Sequence, residues 1–447
     1  MATANLNDRG ELHELGIAAA ARAIRNGEIS SEAYVGRLLE RAREHVDLNA
    51  FITIDDAASL AAARAADKAR AQGARAPLLG IPFAVKDSYM TRGLKTSFGT
   101  GLLKDYLPRE DAPVVAALKS SGAIVIGKNN LVEMSYGLTG LNVHHGQPRN
   151  PYDVNRVTGG SSSGGGASVA ARLVPVALGG NTVGSIRVPA SLCGVAGFKP
   201  TPGRWPRDGV APISHTLDTT GVLARSIEDC TLVDALVTGA KGQGPRSDDG
   251  LKGVRLAVAP KQFQDLIDPG VAEIFHDALR KLRQAGAEII EVDLGEEFTV
   301  LARRVTWSLF FNETMPDVTQ FLLTNEIPAT FQSIYDQLHR TSKRPGLDQF
   351  CRPERTTCRT LLLRQSDPVP AGNCKIFTLR CSPEQTGSFC PRLAVPPPRS
   401  RNRWRSRSLA RGRRHRSSQL TLFRQAALVF PPSVCRWVCP LKGFQSV

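Results

Sequence analysis

The sequence predicts an α/β fold in which a mixed central β-sheet is sandwiched between helical layers. Three observations carry the prediction. Apolar runs of strand length at 79–85, 123–126 and 173–178 alternate with stretches of helical periodicity. The same alternation returns over 254–292. Between the second and third runs lies a glycine-serine stretch, Gly159-Gly160-Ser161-Ser162-Ser163-Gly164-Gly165-Gly166, and the chain that follows it is patterned as folded. Helices alternating with short buried strands imply a layered α/β architecture.

In chain order, residues 12–72 read as an N-terminal helical layer covering the sheet. Leu12, Leu15, Ala19, Ala23 and Ile24, then Leu38, Leu39 and Ala42, then the alanine-rich 57–71, follow helical patterning. Ser30-Ser31-Glu32 offers a helix start, because a serine hydroxyl can accept from a free first-turn N–H. The run 79–85 is a strand that delivers Lys86 at its end. Asp111-Ala112-Pro113 is expected to cap a helix reaching about Ser120, Gly122 to stop it, and 123–126 to form the next strand. Ala167-Ser168-Val169-Ala170-Ala171 carries the glycine-serine stretch on as a small-residue helix, with a buried strand at 173–178. Farther on, 254–259 is a strand, Val271, Ile274, Phe275, Ala278, Leu279 and Leu282 make a helical stripe stopped by Gly286, and 289–292 is a strand.

The net charge of +16 over 447 residues would by itself suggest a nucleic-acid binder. Its distribution argues otherwise. Residues 351–447 hold 19 basic and 3 acidic residues, the whole of the excess, whereas 1–350 hold 38 of each. Of nine cysteines only Cys193 and Cys230 fall in the first 350 residues, so the body is expected to be cytoplasmic with reduced thiols. Residues 1–15 contain no apolar core with basic flanks, so no secretory leader is expected. No run reaches the roughly 18 apolar residues of a membrane span, Arg172 interrupting the best candidate. Two regions follow: a body, 1–350, with its catalytic core at about 79–225, and an Arg/Pro/Cys-rich tail, 351–447, outside the native fold. The segment 396–407 has no period of 2 or 3.6 and is expected to be disordered. Seven cysteines and 11 prolines in this tail suit neither a nucleic-acid arm nor a packed domain, and an out-of-frame reading from about Phe350 is expected instead.

The glycine-serine stretch has bland readings. A flexible linker has this composition, but here a helix and a strand follow it directly. A phosphate loop needs Lys and then Ser or Thr after its last glycine, and Ala167 follows Gly166. Ser185, in Gly184-Ser185-Ile186-Arg187, is the best nucleophile candidate: it follows a strand at a tight turn, where backbone N–H groups could hold an oxyanion. A serine hydroxyl needs a base. His144, His145 and His215 are the nearest histidines, and Arg187 stands where the Gly-x-Ser-x-Gly elbow requires glycine, so a Ser-His-Asp site is the weaker reading. Lys86, if buried, can lose its proton and serve as the base.

These motifs together resemble the amidase signature family: Lys86 in Gly80-Ile81-Pro82-Phe83-Ala84-Val85-Lys86-Asp87, Ser161 in the glycine-serine stretch, and Ser185 before Ile186-Arg187. Gly127-Lys128-Asn129-Asn130, Asn150-Pro151, Cys193-Gly194 and Gly197-Phe198-Lys199-Pro200-Thr201 add to the likeness, which runs from about Leu15 to about Leu294. Within the family, 199–206 and 212–216 are most similar to bacterial indoleacetamide hydrolases, with mandelamide hydrolase a near relative. The resemblance implies the amidase-signature fold and hydrolysis of a carboxamide by a Ser-cisSer-Lys triad. Lys86 would be the base, Ser161 the bridge with a cis peptide, and Ser185 the nucleophile that forms an acyl-enzyme. Backbone N–H groups of Thr182, Val183, Gly184 and Ser185 would hold the oxyanion, with Ser162 and Arg187 supporting. No metal or cofactor is implied. The partner would be a small-molecule amide, with no membrane or nucleic acid and with a homodimer allowed.

Departures and alternatives accompany this. Asn181 stands for the family's carboxylate and Val183 for a glycine; if that position needs positive φ, Val183 is strained and activity reduced. An amidotransferase A-type subunit, working with tRNA and protein partners, is one alternative, and a catalytically impaired amidase-fold protein another. His144 and His145 are expected to have a loop or pocket-lining role rather than to bind metal, and Cys193 to be a small buried hydrophobe. Cys435 and Cys439 have the spacing of half a zinc site but lack a second pair. Arg204-Trp205 is read as lining a substrate mouth or stacking on the surface.

Overall fold

The computed structural model describes residues 11–240, 250–263 and 267–341, so the expectations for the tail, Cys435 and Cys439 included, lie outside the described residues. The helical layer opens with α1 (Ile17–Asn26) and α2 (Ser31–Glu44), and the Ser30 hydroxyl caps α2 by accepting from Ala33 N at 3.0 Å. The layer is not continuous. β1 (Phe51–Ile54) interrupts it before α3 (Asp56–Ala71), because Phe51, Ile52, Thr53 and Ile54 are aromatic or β-branched and pack well on a pleated surface. β2 (Pro82–Lys86), α4 (Pro113–Ser120) and β3 (Ile124–Asn129) follow. Asp111 does not cap α4: Ala112 is the N-cap, and the Asp111 carboxylate accepts from Arg92 N and Lys119 Nζ, each at 2.8 Å.

The glycine-serine stretch turns into α5 (Ser163–Ala170), followed by β4 (Val176–Asn181). β4 starts later than the predicted run because Pro175 has no N–H to give to a ladder. After α6 (Arg187–Leu192) come β5 (Ala196–Phe198), β6 (Thr219–Ala224) and α7 (Ile227–Thr238). The six strands order as β1-β3-β2-β4-β6-β5. β2 runs parallel to β3 and β4, and the remaining pairs are antiparallel, so the sheet is mixed.

Alternation along the strands assigns the two faces. Phe83, Val85, Leu178 and Val222 join one apolar core with α1, α4 and α7, while Ala84, Ala177 and Leu223 join another with α3, α5 and α6. Lys86, two residues after Ala84, therefore belongs to the face that α5 covers.

The later elements depart from a single sandwich. β7 (Arg255–Val258), α8 (Pro260–Phe263), α9 (Pro269–Gln284) and β8 (Glu288–Glu291) form, but β7 and β8 pair with each other as a separate parallel sheet. The stripe of α9 buries Leu279 yet leaves Val271 and Ile274 exposed. α10 (Glu297–Thr324) and α11 (Phe331–Thr341) complete the described body, with Val318 and Leu322 packed in a cluster with Met90, Phe98, Leu103 and Met134. No described helix is long and apolar enough to cross a membrane.

Candidate active site

Lys86 ends β2 on the α5 face, 1% exposed, and its Nζ donates to Ser161 Oγ at 2.8 Å. Burial pulls its pKa down to about 7 from the usual 10.5, against a smaller opposing pull from the Asp218 carboxylate. A second lysine shows why this matters. Lys128 is equally buried and burial pulls it down too, to about 8, but its Nζ donates to Tyr89 O, Thr91 Oγ1 and Thr96 Oγ1 and lies 3.6 Å from Asp87, a set that favours the ammonium. Lys86 meets one hydroxyl instead.

Ser161 is fully buried just before α5, behind a cis Gly160–Ser161 peptide bond. The close glycines have a steric reason. A Cβ on Gly164 would collide with Ala50 O and lie 2.6 Å from Asn130 N, so only glycine lets the start of α5 sit against those backbones. Ser162 links the stretch to the next loop: its N–H donates to Ser185 O at 3.2 Å and its hydroxyl to Gly180 O at 3.3 Å.

Ser185 is 5% exposed in the turn between β4 and α6. Its hydroxyl makes no hydrogen bond among the described residues, and neither do the N–H groups of Val183, Gly184 and Ser185. Consecutive unpaired donors in one turn are available to an oxyanion. The turn is held from several sides: Ile186 N donates to Asn181 Oδ1 at 3.2 Å, Val188 N to Gly184 O at 2.8 Å, and Arg187 to Val183 O at 3.0 Å. Val183 does not take positive φ, so the strain conditional on that conformation does not arise. The Asn181 Nδ2 is buried without a hydrogen-bond partner among the described residues.

A cavity of about 330 Å³ has Lys86, Ser161, Asn181, Thr182 and Asp218 in its wall, whereas Ser185 is not among its lining residues and makes no hydrogen bond to Ser161 Oγ. More of its wall comes from 207–213 and His215 and from α10, through Asp317, Gln320, Phe321 and Thr324. Sequence reasoning missed this wall because α10 has no one-sided apolar stripe. Asp218 was missed too, having no motif to announce it. His215 faces the cavity, its ring between Glu313 (3.4 Å) and Asp317 (3.1 Å). This trio has metal-ligand chemistry, but its carboxylates already accept from Ser214 Oγ, Thr216 N and Oγ1, and His215 N.

His144 pairs with Glu133 at 2.9 Å and His145 with Ser97 Oγ at 3.2 Å, both away from the cavity wall. Arg204 and Trp205 both donate to Asp234, and Trp205 is buried against Phe198, so neither lines the mouth. Cys193 is buried, its thiol pushed up to about 12.

The chain matches the Amidase family over residues 33–361. It is 37% identical over 350 residues to mandelamide hydrolase of Pseudomonas putida, covering 77% of this chain and 68% of that protein. It is 37% identical over 344 residues to the A-type subunit of glutamyl-tRNA(Gln) amidotransferase from Roseiflexus castenholzii, covering 74% and 70% respectively. Native peptide amidase from Stenotrophomonas maltophilia has a similar structure, with TM-score 0.65 and 31% identity over 73% of this chain and 72% of that one.

Proposed function

The chain belongs to the amidase family of amide C–N hydrolases, and on that premise we propose that it converts a small arylacetamide, such as indole-3-acetamide or mandelamide, to the carboxylic acid and ammonia. The observation that carries the reading is Lys86, buried, hydrogen-bonded to Ser161, and shifted to about 7. In this reaction neutral Lys86 takes the proton of Ser161, Ser161 takes that of Ser185, and Ser185 Oγ bonds to the amide carbon. The N–H groups of 182–185 hold the oxyanion. The C–N bond breaks as the relay returns a proton to the nitrogen, ammonia leaves, and water attacks the acyl-enzyme to release the acid and restore Ser185. A cavity at the small end of ligand pockets (about 300–1,000 Å³), with Ile213 and Phe321 in its wall, suits a small acyl group of this kind. A cytoplasmic location and a homodimer belong to the same proposal, the latter read by light scattering.

Ammonia release from indole-3-acetamide or mandelamide by the purified chain alone is the test. A second reading, in which the chain works with tRNA and protein partners, has the likeness to the amidotransferase in its favour. It predicts no ammonia from either amide, and release from glutamine only when partner proteins are added.

A further inference from the structure

We propose that Asp218 is a positioning residue of this site: it ties the oxyanion turn to the loop that walls the substrate cavity, and its carboxylate lines the same cavity as Lys86 and acts on that lysine as a charge. The inference rests on the Lys86, Ser161 and Ser185 reading above. Asp218 immediately precedes β6, and both of its carboxylate oxygens are used. Oδ1 accepts from Thr182 Oγ1 at 2.6 Å, and Oδ2 accepts from Ile213 N at 2.7 Å and Ser214 N at 3.0 Å. Its own N–H donates back to Ser214 O at 2.9 Å, closing the loop.

Thr182 is the first residue beyond β4, so fixing its hydroxyl fixes the direction in which 183–185 present their free N–H groups. The other end of the link is the cavity wall. Ile213 lines the cavity, and the Ser214 hydroxyl goes on to donate to Glu313 of α10. One carboxylate thus holds the reacting turn and the substrate wall in a common register.

Burial pushes the Asp218 carboxyl above the usual carboxylate range, and its three donors and Arg207 oppose that, favouring the ionised form. Arg207 is the cation acting on Asp218, and Asp208, His215 and Asp317 line the same cavity. Asp218 is the charge that acts on Lys86, strengthening its hold on a proton against desolvation. Without that charge the lysine would lose its proton at lower pH.

The experiment is the rate of Ser185 labelling by a fluorophosphonate as a function of pH, with folding followed by near-UV circular dichroism. Wild-type labelling should rise through a single limb near 7. Asp218→Asn should move that limb to lower pH and lower the plateau about tenfold or more, as expected when an oxyanion donor is displaced. Asp218→Glu, which keeps the charge, should leave the limb where it is. Thr182→Val should lower the plateau without moving the limb. A purely structural aspartate would change stability but not the limb. A folded Asp218→Asn with the wild-type limb, or Thr182→Val with the wild-type plateau, overturns the proposal; the second result decides if Asp218→Asn does not fold. Absence of labelling at Ser185 in the wild type is a different failure, that of the site reading, and takes this proposal with it.

Discussion

Two buried lysines stand near the ends of neighbouring strands on opposite faces of the sheet, Lys86 paired with Asn129 and Lys128 with Val85, and their surroundings differ. Lys128 has three oxygen acceptors and a nearby carboxylate, while Lys86 has Ser161 alone as a hydrogen-bond partner among the described residues. The folded state releases the Lys86 proton at about 7 and the unfolded chain near 10.5. Between these values the unfolded chain holds more protons, so this site's contribution to stability rises with pH across that window and is lost as pH falls toward 7. Activity should follow the neutral fraction of the same group. The rate on a small amide is expected to rise through about 7 and level off above it, and Lys86→Met should remove both the limb and turnover. Near-normal turnover in Lys86→Met would exclude the relay. Ser185→Ala should leave circular dichroism unchanged while abolishing turnover and fluorophosphonate labelling; labelling at full strength in that variant would assign the nucleophile elsewhere.

The elements show what a one-dimensional pattern can and cannot register. Strands β2 and β3 were legible because both are short apolar runs bounded by turn residues, and β2 is buried along its whole length. Lys86 at the end of such a run was conspicuous for the same reason. β1 escaped because it is four residues long between two helices, and α10 because its apolar residues lie on several sides. The pocket wall was illegible in principle: Asp317, Gln320 and Phe321 reach the cavity across a sequence gap of over 150 residues from Ser161, and no local period encodes that contact. Two glycines test the packing account at this scale. Gly36 in α2 has only Leu60 Cδ2 near a built Cβ, at 3.9 Å, so Gly36→Ala should stabilise by about 0.5–1 kcal/mol through helix propensity. Gly164→Ala should instead destabilise by about 1–3 kcal/mol, because the new methyl meets two backbones that cannot swing aside. Urea melts of both variants give the comparison, and equal midpoints would refute the close-approach explanation of the glycine-serine stretch.

For the molecule as a whole, the charge and the family likeness divide at nearly the same place. The first 350 residues are balanced, the remaining 97 carry the entire +16, and the Amidase match stops at residue 361. An arginine-rich arm added by selection for nucleic acid would have no reason to hold seven cysteines and 11 prolines. A shifted reading frame scatters residue types without regard to packing. Meanwhile α10 exposes Val300, Leu301, Met315 and Leu323, each more than half accessible. The proposal of a frame change near Phe350 joins these facts and makes a direct prediction. Independent reads of the coding DNA should find a missing or extra base among the codons for about 350–361, and the other frame should continue the amidase likeness. Expression in the corrected frame should then reduce binding of an apolar dye such as ANS relative to the present chain, and Val300→Lys with Leu301→Glu in the present chain should reduce it as well. An intact frame in every read, joined to salt-sensitive binding of nucleic acid that is lost when 396–416 is removed, would make the basic segment a working part of the protein.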